Sequence, residues 1–250
     1  MKLKPSKTIN ALAFSAFTMA GSHAATLIAG FDFQTTTTGG TAAAASSAGN
    51  PSPLVYHANF GSATLYLNGA NGSSTFTTGV TNPQVTSFGG TDVNTAGTTF
   101  STGTSGAASL AVANSSANGS RMVFVLSMRN LEGLDISYAT QATNTGFSLQ
   151  TWSYSTDGST FTDFATFAPG GGSGATVSFA TNGVVDLNTS ALTVLDGEDD
   201  IYIGLTFSGA SNTSGNNRLD NIQFTAVPEP SAALLGGLGM FALLRRRRLG

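Results

Sequence analysis

Between residues 25 and 226 the apolar positions recur every second residue, the period of half-buried β-strands rather than of helices. Phe31 and Phe33 take one face of a segment whose other face carries Asp32 and Gln34. Met122, Phe124, Leu126 and Met128 alternate with Arg121, Val123, Val125, Ser127 and Arg129, and the valines on the second face predict a central strand covered on both sides. Leu134, Ile136 and Tyr138 form another set, and Phe147 and Leu149 open a strand whose other face carries Trp152 and Tyr154. Ile201, Ile203, Leu205 and Phe207, then Ile222, Phe224 and Ala226, complete the series. Gly, Asn and Asp break the chain between these runs, as in a sandwich. Asp157-Gly158, between Trp152 and Asp163, predicts a hairpin, because Asp-Gly tolerates the positive φ of a tight turn.

The expected fold is therefore all-β, an antiparallel β-sandwich best defined over residues 121–226. Residues 35–118 read as loop-rich, since 35–53 and 68–118 hold few large apolar side chains, with short strands such as 64–67.

Both ends depart from this pattern. Lys2, Lys4 and Lys7 precede an apolar stretch, Ile9 to Ala20, and Ser22-His23-Ala24 then supplies small residues before a cut. That is the layout of a secretory signal peptide over residues 1–24, a helix handled by the Sec translocon and removed by signal peptidase. At the other end, Val227-Pro228-Glu229-Pro230-Ser231 is followed by the apolar run Ala232 to Leu244 and by Arg245, Arg246, Arg247 and Arg248. As a helix rising ~1.5 Å per residue, that run spans about 20 Å, short of a ~30 Å hydrocarbon core. The arginines are expected on the cytoplasmic side and the body beyond the inner membrane.

Residues 227–250 resemble the PEP-CTERM sorting signal of Gram-negative bacteria in all three parts: the motif Pro228, Glu229 and Pro230, a short hydrophobic helix over 232–244, and the arginine cluster 245–248. The resemblance implies a transient inner-membrane anchor, recognition and tail removal by an exosortase-type enzyme, and release to the cell surface or outside. It further implies co-occurrence with exopolysaccharide and biofilm-matrix production. A permanent anchor is the alternative, which the short run and the Pro-Glu-Pro punctuation disfavour.

Charge sharpens this division. Only 9% of the 250 residues are charged, with a net of -3, against about a quarter charged in ordinary soluble domains. Seven of the ten basic residues lie in the two ends. The body keeps Arg121, Arg129 and Arg218 against twelve acids, a net of -9 with no lysine. A body so acidic is not expected to bind nucleic acid, because phosphates must be neutralised by basic side chains. The absence of cysteine excludes disulfides, thiolate metal sites and cysteine nucleophiles.

Candidate chemistry is sparse. His23 belongs to the leader, so His57 is the only histidine of the body, and neither a Ser-His-Asp triad nor a two-histidine zinc site is expected. Glu132 and Glu198, the body's two glutamates, are the pair a glycosidase would need, and both lie in turn-like acidic or Gly-bearing segments. Asp196, Glu198, Asp199 and Asp200 form an oxygen-rich turn without EF-hand spacing. If the last strand were regular from Arg218, Asp220 would share the face of Ile222 and Phe224, where it would need a metal or Arg218 as partner. Trp152, the only tryptophan, and Tyr154 lie on one strand face, either as a platform for a sugar's C–H face or as core.

The segments Phe147 to Phe164 and Asn217-Arg218-Leu219-Asp220-Asn221-Ile222 resemble those of jelly-roll domains with a galactose-binding-like or carbohydrate-binding-module fold. That resemblance implies a jelly-roll-like sandwich and a structural calcium between acids of the first and last strands, here Asp32 and Asp220. The alternative is a turn-capping Asp220 and a solvated Asp32. No other cofactor is expected. The expected function is an exported, non-catalytic structural, adhesion or polysaccharide-contact module. A secreted glycoside hydrolase or lyase on the same fold is the alternative.

Overall fold

The computed structural model describes residues 24–33, 55–67, 75–76, 84–95, 98, 100, 108–170, 177–189 and 191–229. Both expected terminal helices, in the leader and in the tail from Pro230 onward, lie outside the described residues. Among the described residues no helix is long and apolar enough to cross a membrane.

Two antiparallel sheets face each other. The seven-stranded sheet contains β1 (Thr26–Phe31), β3 (Phe60–Gly61), β5 (Val85–Gly89), β6 (Ala108–Ala113), β8 (Leu131–Ala142), β11 (Val184–Leu187) and β13 (Asn216–Pro228). The six-stranded sheet runs β10 (Thr162–Phe167), β9 (Leu149–Ser155), β12 (Ile201–Ser208), β7 (Arg121–Leu126), β4 (Ala63–Tyr66), β2 (Val55–His57). β13 is the spine of the larger sheet. One edge pairs with β8 throughout, and the other pairs first with β6 and then with β1.

The inward positions are those the alternation selects. Met122, Phe124, Leu126, Ile136, Tyr138, Ile201, Ile203, Leu205, Phe207, Ile222, Phe224 and Ala226 are all buried. Phe31, Phe124 and Phe224 meet at ring-centroid distances of 5.3 to 6.4 Å and close the space between the sheets. Each such side chain contributes roughly 1.5–3 kcal/mol on leaving water. β7 lies between β12 and β4, and Val123 on its outward face is fully buried as well.

Within residues 35–118 the short strands are β2 to β6, which join both sheets. Those strands are two to six residues long, too short for a sustained alternation, and β6 buries the small Ser109 and Ala111 beside Leu110 and Val112. Two other expectations need correction. The hairpin β9–β10 forms, but six residues separate its strands, and only Gly158 there has positive φ (70°). Finally, β13 is not regular after Arg218. A bulge with Asn221 at φ 47° shifts its register against β8, so Leu219 and Ile222 both point into the core.

Candidate functional site

The bulge decides where Asp220 goes. With Leu219 and Ile222 inward, Asp220 and Asn221 both face outward, beneath the segment 90–95 that follows β5. Asp220 Oδ2 accepts the Thr91 N–H at 2.7 Å, and Oδ1 accepts the Asn221 N–H at 2.9 Å. The Asn221 amide donates to the carbonyls of Thr91 (3.0 Å) and Val93 (2.7 Å). Asn94 donates to the Asn221 carbonyl at 2.7 Å and to Ser137 Oγ at 3.2 Å. A peptide segment crossing a sheet face must satisfy its backbone groups, and these side chains do so. Gly90 permits the close approach, because a Cβ there would overlap Asp220 Oδ2 and the Ala108 carbonyl.

Asp220 is fully buried, and Asp32, just after β1, is 5% exposed, so the solvated reading of Asp32 does not hold. The structure brings the two carboxylates within electrostatic reach of each other. Burial pushes the Asp220 carboxyl up to about 8; the N–H groups of Thr91 and Asn221 oppose the rise and the Asp32 charge adds to it. Arg218 is not the partner of Asp220. Its guanidinium donates to the Gly89 carbonyl at 3.3 Å and lies 4.8 Å from the Phe88 ring centroid. Asn221 Oδ1 is buried and has no hydrogen-bond partner. Carboxylate and amide oxygens are the donor types that calcium takes, and no group of three acidic or histidine ligands converges among the described residues.

Trp152 and Tyr154 do not form a sugar platform. Trp152 is fully buried, stacked on Phe124 with centroids 6.2 Å apart, and tilted against Tyr138 at 5.1 Å. Tyr154, half-buried on the same face, packs against Phe164 at 6.4 Å. The indole is fully enclosed by the core, so no face of it is left for a ligand.

The exposed chemistry of the six-stranded sheet lies on its other face. There the register places Tyr66 opposite Val123 and Tyr202 opposite Val125, on the two strands flanking β7 and offset by two residues along it, so their backbones lie roughly 12 Å apart. The Arg121 guanidinium lies 3.9 Å from the Phe161 ring centroid, with Asp163 close enough to act on its charge. Gly204 makes room for this arrangement, since a Cβ would press on Ser153 Oγ, the Arg121 stem and Phe161. Tyr66, Tyr202, Phe161 and Arg121 are half-exposed, and His57 and Asp163 are exposed at opposite sides of the sheet. The sequence alone does not mark this face, because its residues come from five strands, two of them in the loop-rich stretch; the equal parity of Tyr202 and Gly204 is the available signal.

Glu132 and Glu198 sit at the end of the molecule where the tail leaves. Glu132 lies opposite Val227 in the β8–β13 pair, and the Glu198 carbonyl accepts the Met128 N–H at 2.9 Å. In the same region Arg129 forms a two-pronged ion pair with Asp199. β13 runs two residues past the expected end of the body: Pro228 is its last residue, opposite Leu131, and the Glu229 N–H donates to the Asn130 carbonyl at 2.9 Å. The rest of the motif, from Pro230 through the arginines Arg245 to Arg248, lies outside the described residues.

Among solved structures, the chain is similar to TmCBM61 in complex with β-1,4-galactotriose, at 8% identity and TM-score 0.33, covering 56% of this chain and 81% of that one. It is also similar to the K2 cleaved adhesin domain of Lys-gingipain (16% identity, TM-score 0.35, covering 78% and 97%). A third is CBM28, a carbohydrate-binding module specific for non-crystalline cellulose (13% identity, TM-score 0.30, covering 55% and 86%). No curated protein sequence matches the chain. Residues 226–248 match the PEP-CTERM protein-sorting motif, which implies an exported protein.

Proposed function

We propose that this chain is delivered by the Sec route, held briefly in the inner membrane by its tail, and processed by an exosortase-type enzyme. The mature sandwich is released to the cell surface or extracellular matrix, where it acts as a non-catalytic module in contact with exopolysaccharide. The single observation that carries the reading is the three-part tail matched over residues 226–248, with Arg245 to Arg248 behind a short apolar run. Intact mass of the exported protein tests it: both ends are lost, and a mature species that keeps Arg245 to Arg248 overturns it.

The polysaccharide contact belongs to the outward face of the six-stranded sheet. Tyr66, Tyr202 and Phe161 offer apolar ring surface, and Arg121 and Asp163 offer polar groups for hydroxyls, the mixture that suits a sugar. Retention of the mature domain in gels containing the producer's own polysaccharide is expected to fall for Tyr202→Ala and Tyr66→Ala and to be unchanged for Val184→Ala, an exposed position of β11 in the other sheet. Equal retention of all four proteins removes this face from the reading. Turnover on a panel of glycans, lost on replacing Glu132 or Glu198, favours an enzyme instead.

The buried acid pair supports a structural calcium. Asp32 and Asp220 would hold it, and its charge would offset the desolvation of the two buried carboxylates.

A further inference from the structure

The sorting motif and the fold overlap. The matched segment begins at residue 226, yet β13 continues to Pro228 and Glu229 is hydrogen-bonded beyond it. No linker separates the sandwich from the first two residues of Pro-Glu-Pro. Val227 and Pro228 are half-buried against Glu132 and Leu131, and the Glu229 N–H is taken by the Asn130 carbonyl.

The edge that receives them is itself fixed. The Leu131 N–H donates to the Met128 carbonyl and the Leu131 carbonyl accepts the Gly197 N–H, both at 2.9 Å. Asp196 accepts the Gly133 N–H at 2.9 Å. Asn130 (φ 59°) and Gly133 (φ 63°) turn the chain on either side of Leu131. β8 thus presents a preformed slot, built from its own turn and from the turn at 196–198.

The geometry points to a self-held sorting signal: the folded sandwich keeps Pro228 and Glu229 seated on β8, and the sorting enzyme gains the motif only when the end of β13 unpairs. A backbone group already paired in a sheet is not available to an enzyme's cleft. Strand ends open at a much lower free-energy cost than the core, so this restraint slows engagement without preventing it. The inference rests on the tail being processed as proposed above.

Pulse-chase of the full chain, in a bacterium carrying an exosortase-type enzyme, tests it with two variants. A short Gly-Ser insertion between Ala226 and Val227 leaves the motif intact but carries it off the slot. Processing is then expected to be roughly two- to ten-fold faster, the factor for releasing about one net backbone hydrogen bond. The pair Glu132→Cys with Val227→Cys lies opposite in register, within disulfide reach for an antiparallel pair, in a chain with no other cysteine. Oxidised, it is expected to slow processing, and reductant restores the original rate. Thermal melts of the purified bodies confirm that both variants fold. Equal half-times for wild type, insertion and oxidised pair overturn the self-held signal while leaving the sorting reading intact. A wild-type chain that never loses Arg245 to Arg248 overturns both.

Discussion

The Trp152 indole N–H donates to the Tyr138 hydroxyl at 3.2 Å, and that hydroxyl donates onward to Gln150 Oε1 at 2.6 Å. All three residues are fully buried. Gln150 closes the chain by donating to Thr140 Oγ1 at 3.0 Å. The tryptophan is therefore a structural joint between the two sheets. Tyr138→Phe leaves an indole N–H without its acceptor, a loss of roughly 1–3 kcal/mol. Trp152→Ala empties the centre of the core, for about 3–5 kcal/mol. Urea unfolding followed by the single tryptophan's fluorescence measures the first and circular dichroism the second. A Trp152→Ala protein with wild-type stability would contradict the packing.

Gly90 offers a second check. The segment 90–95 lies on Asp220 and Asn221 with no space for a Cβ at residue 90. Gly90→Ala must displace either Asp220 or the segment, at about 1–3 kcal/mol by analogy with overpacked cores. Its neighbour provides the control, since a Cβ at Gly89 meets nothing within 4 Å. A lower urea midpoint is expected for Gly90→Ala and an unchanged one for Gly89→Ala; equal midpoints would show that the segment does not seat on Asp220.

The β9–β10 connection gives a pH test with a fixed sign. Asp157 Oδ1 accepts the N–H groups of Thr160 and Ser159 and the hydroxyl of Ser155, each at 2.8 Å. These donors hold its carboxyl well below the usual carboxylate range. Its stabilising effect is complete above the ordinary aspartate pKa of the unfolded chain and is lost as pH falls toward the depressed folded value. Carboxyl NMR titration should show Asp157 still ionised at a pH where a free aspartate is half protonated. A midpoint at the ordinary value would mean that the turn is not organised by this side chain.

Much of the sandwich is legible in the residues, and the reason is physical. Where large apolar side chains alternate, as in Met122 to Leu126 or Ile201 to Phe207, a period of two has only one way to bury them. Legibility ends where another interaction takes over. At β13 a single extra residue, Asn221, reverses the parity that alternation assigns to Asp220, and the force that places it there is a hydrogen-bonded segment 130 positions earlier in the chain. Trp152 could be assigned to a face but not to core or surface, since aromatic strand positions serve both. The seating of Pro228 on Leu131 is hidden in the sequence because Pro-Glu-Pro punctuates the chain like the start of a separate unit, whereas the strand runs through it.

Calcium gives the most direct test of the Asp32–Asp220 pair. Two adjacent buried carboxylates oppose folding unless a proton or a cation compensates them. A cation bound only by the folded chain stabilises it by mass action, by about 2.7 kcal/mol when its concentration is a hundred times Kd. For a domain of this size that is roughly 5–10 °C in Tm. The mature body melted in millimolar calcium should therefore exceed the same protein in chelator by several degrees, and added magnesium should not substitute, because it demands a tighter octahedral site. Asp220→Asn should remove the calcium response, whereas Tyr202→Ala, on the outward face of the opposite sheet, should keep it. Superimposable melts of the wild-type body in calcium and in chelator would show that the pair is held without a metal.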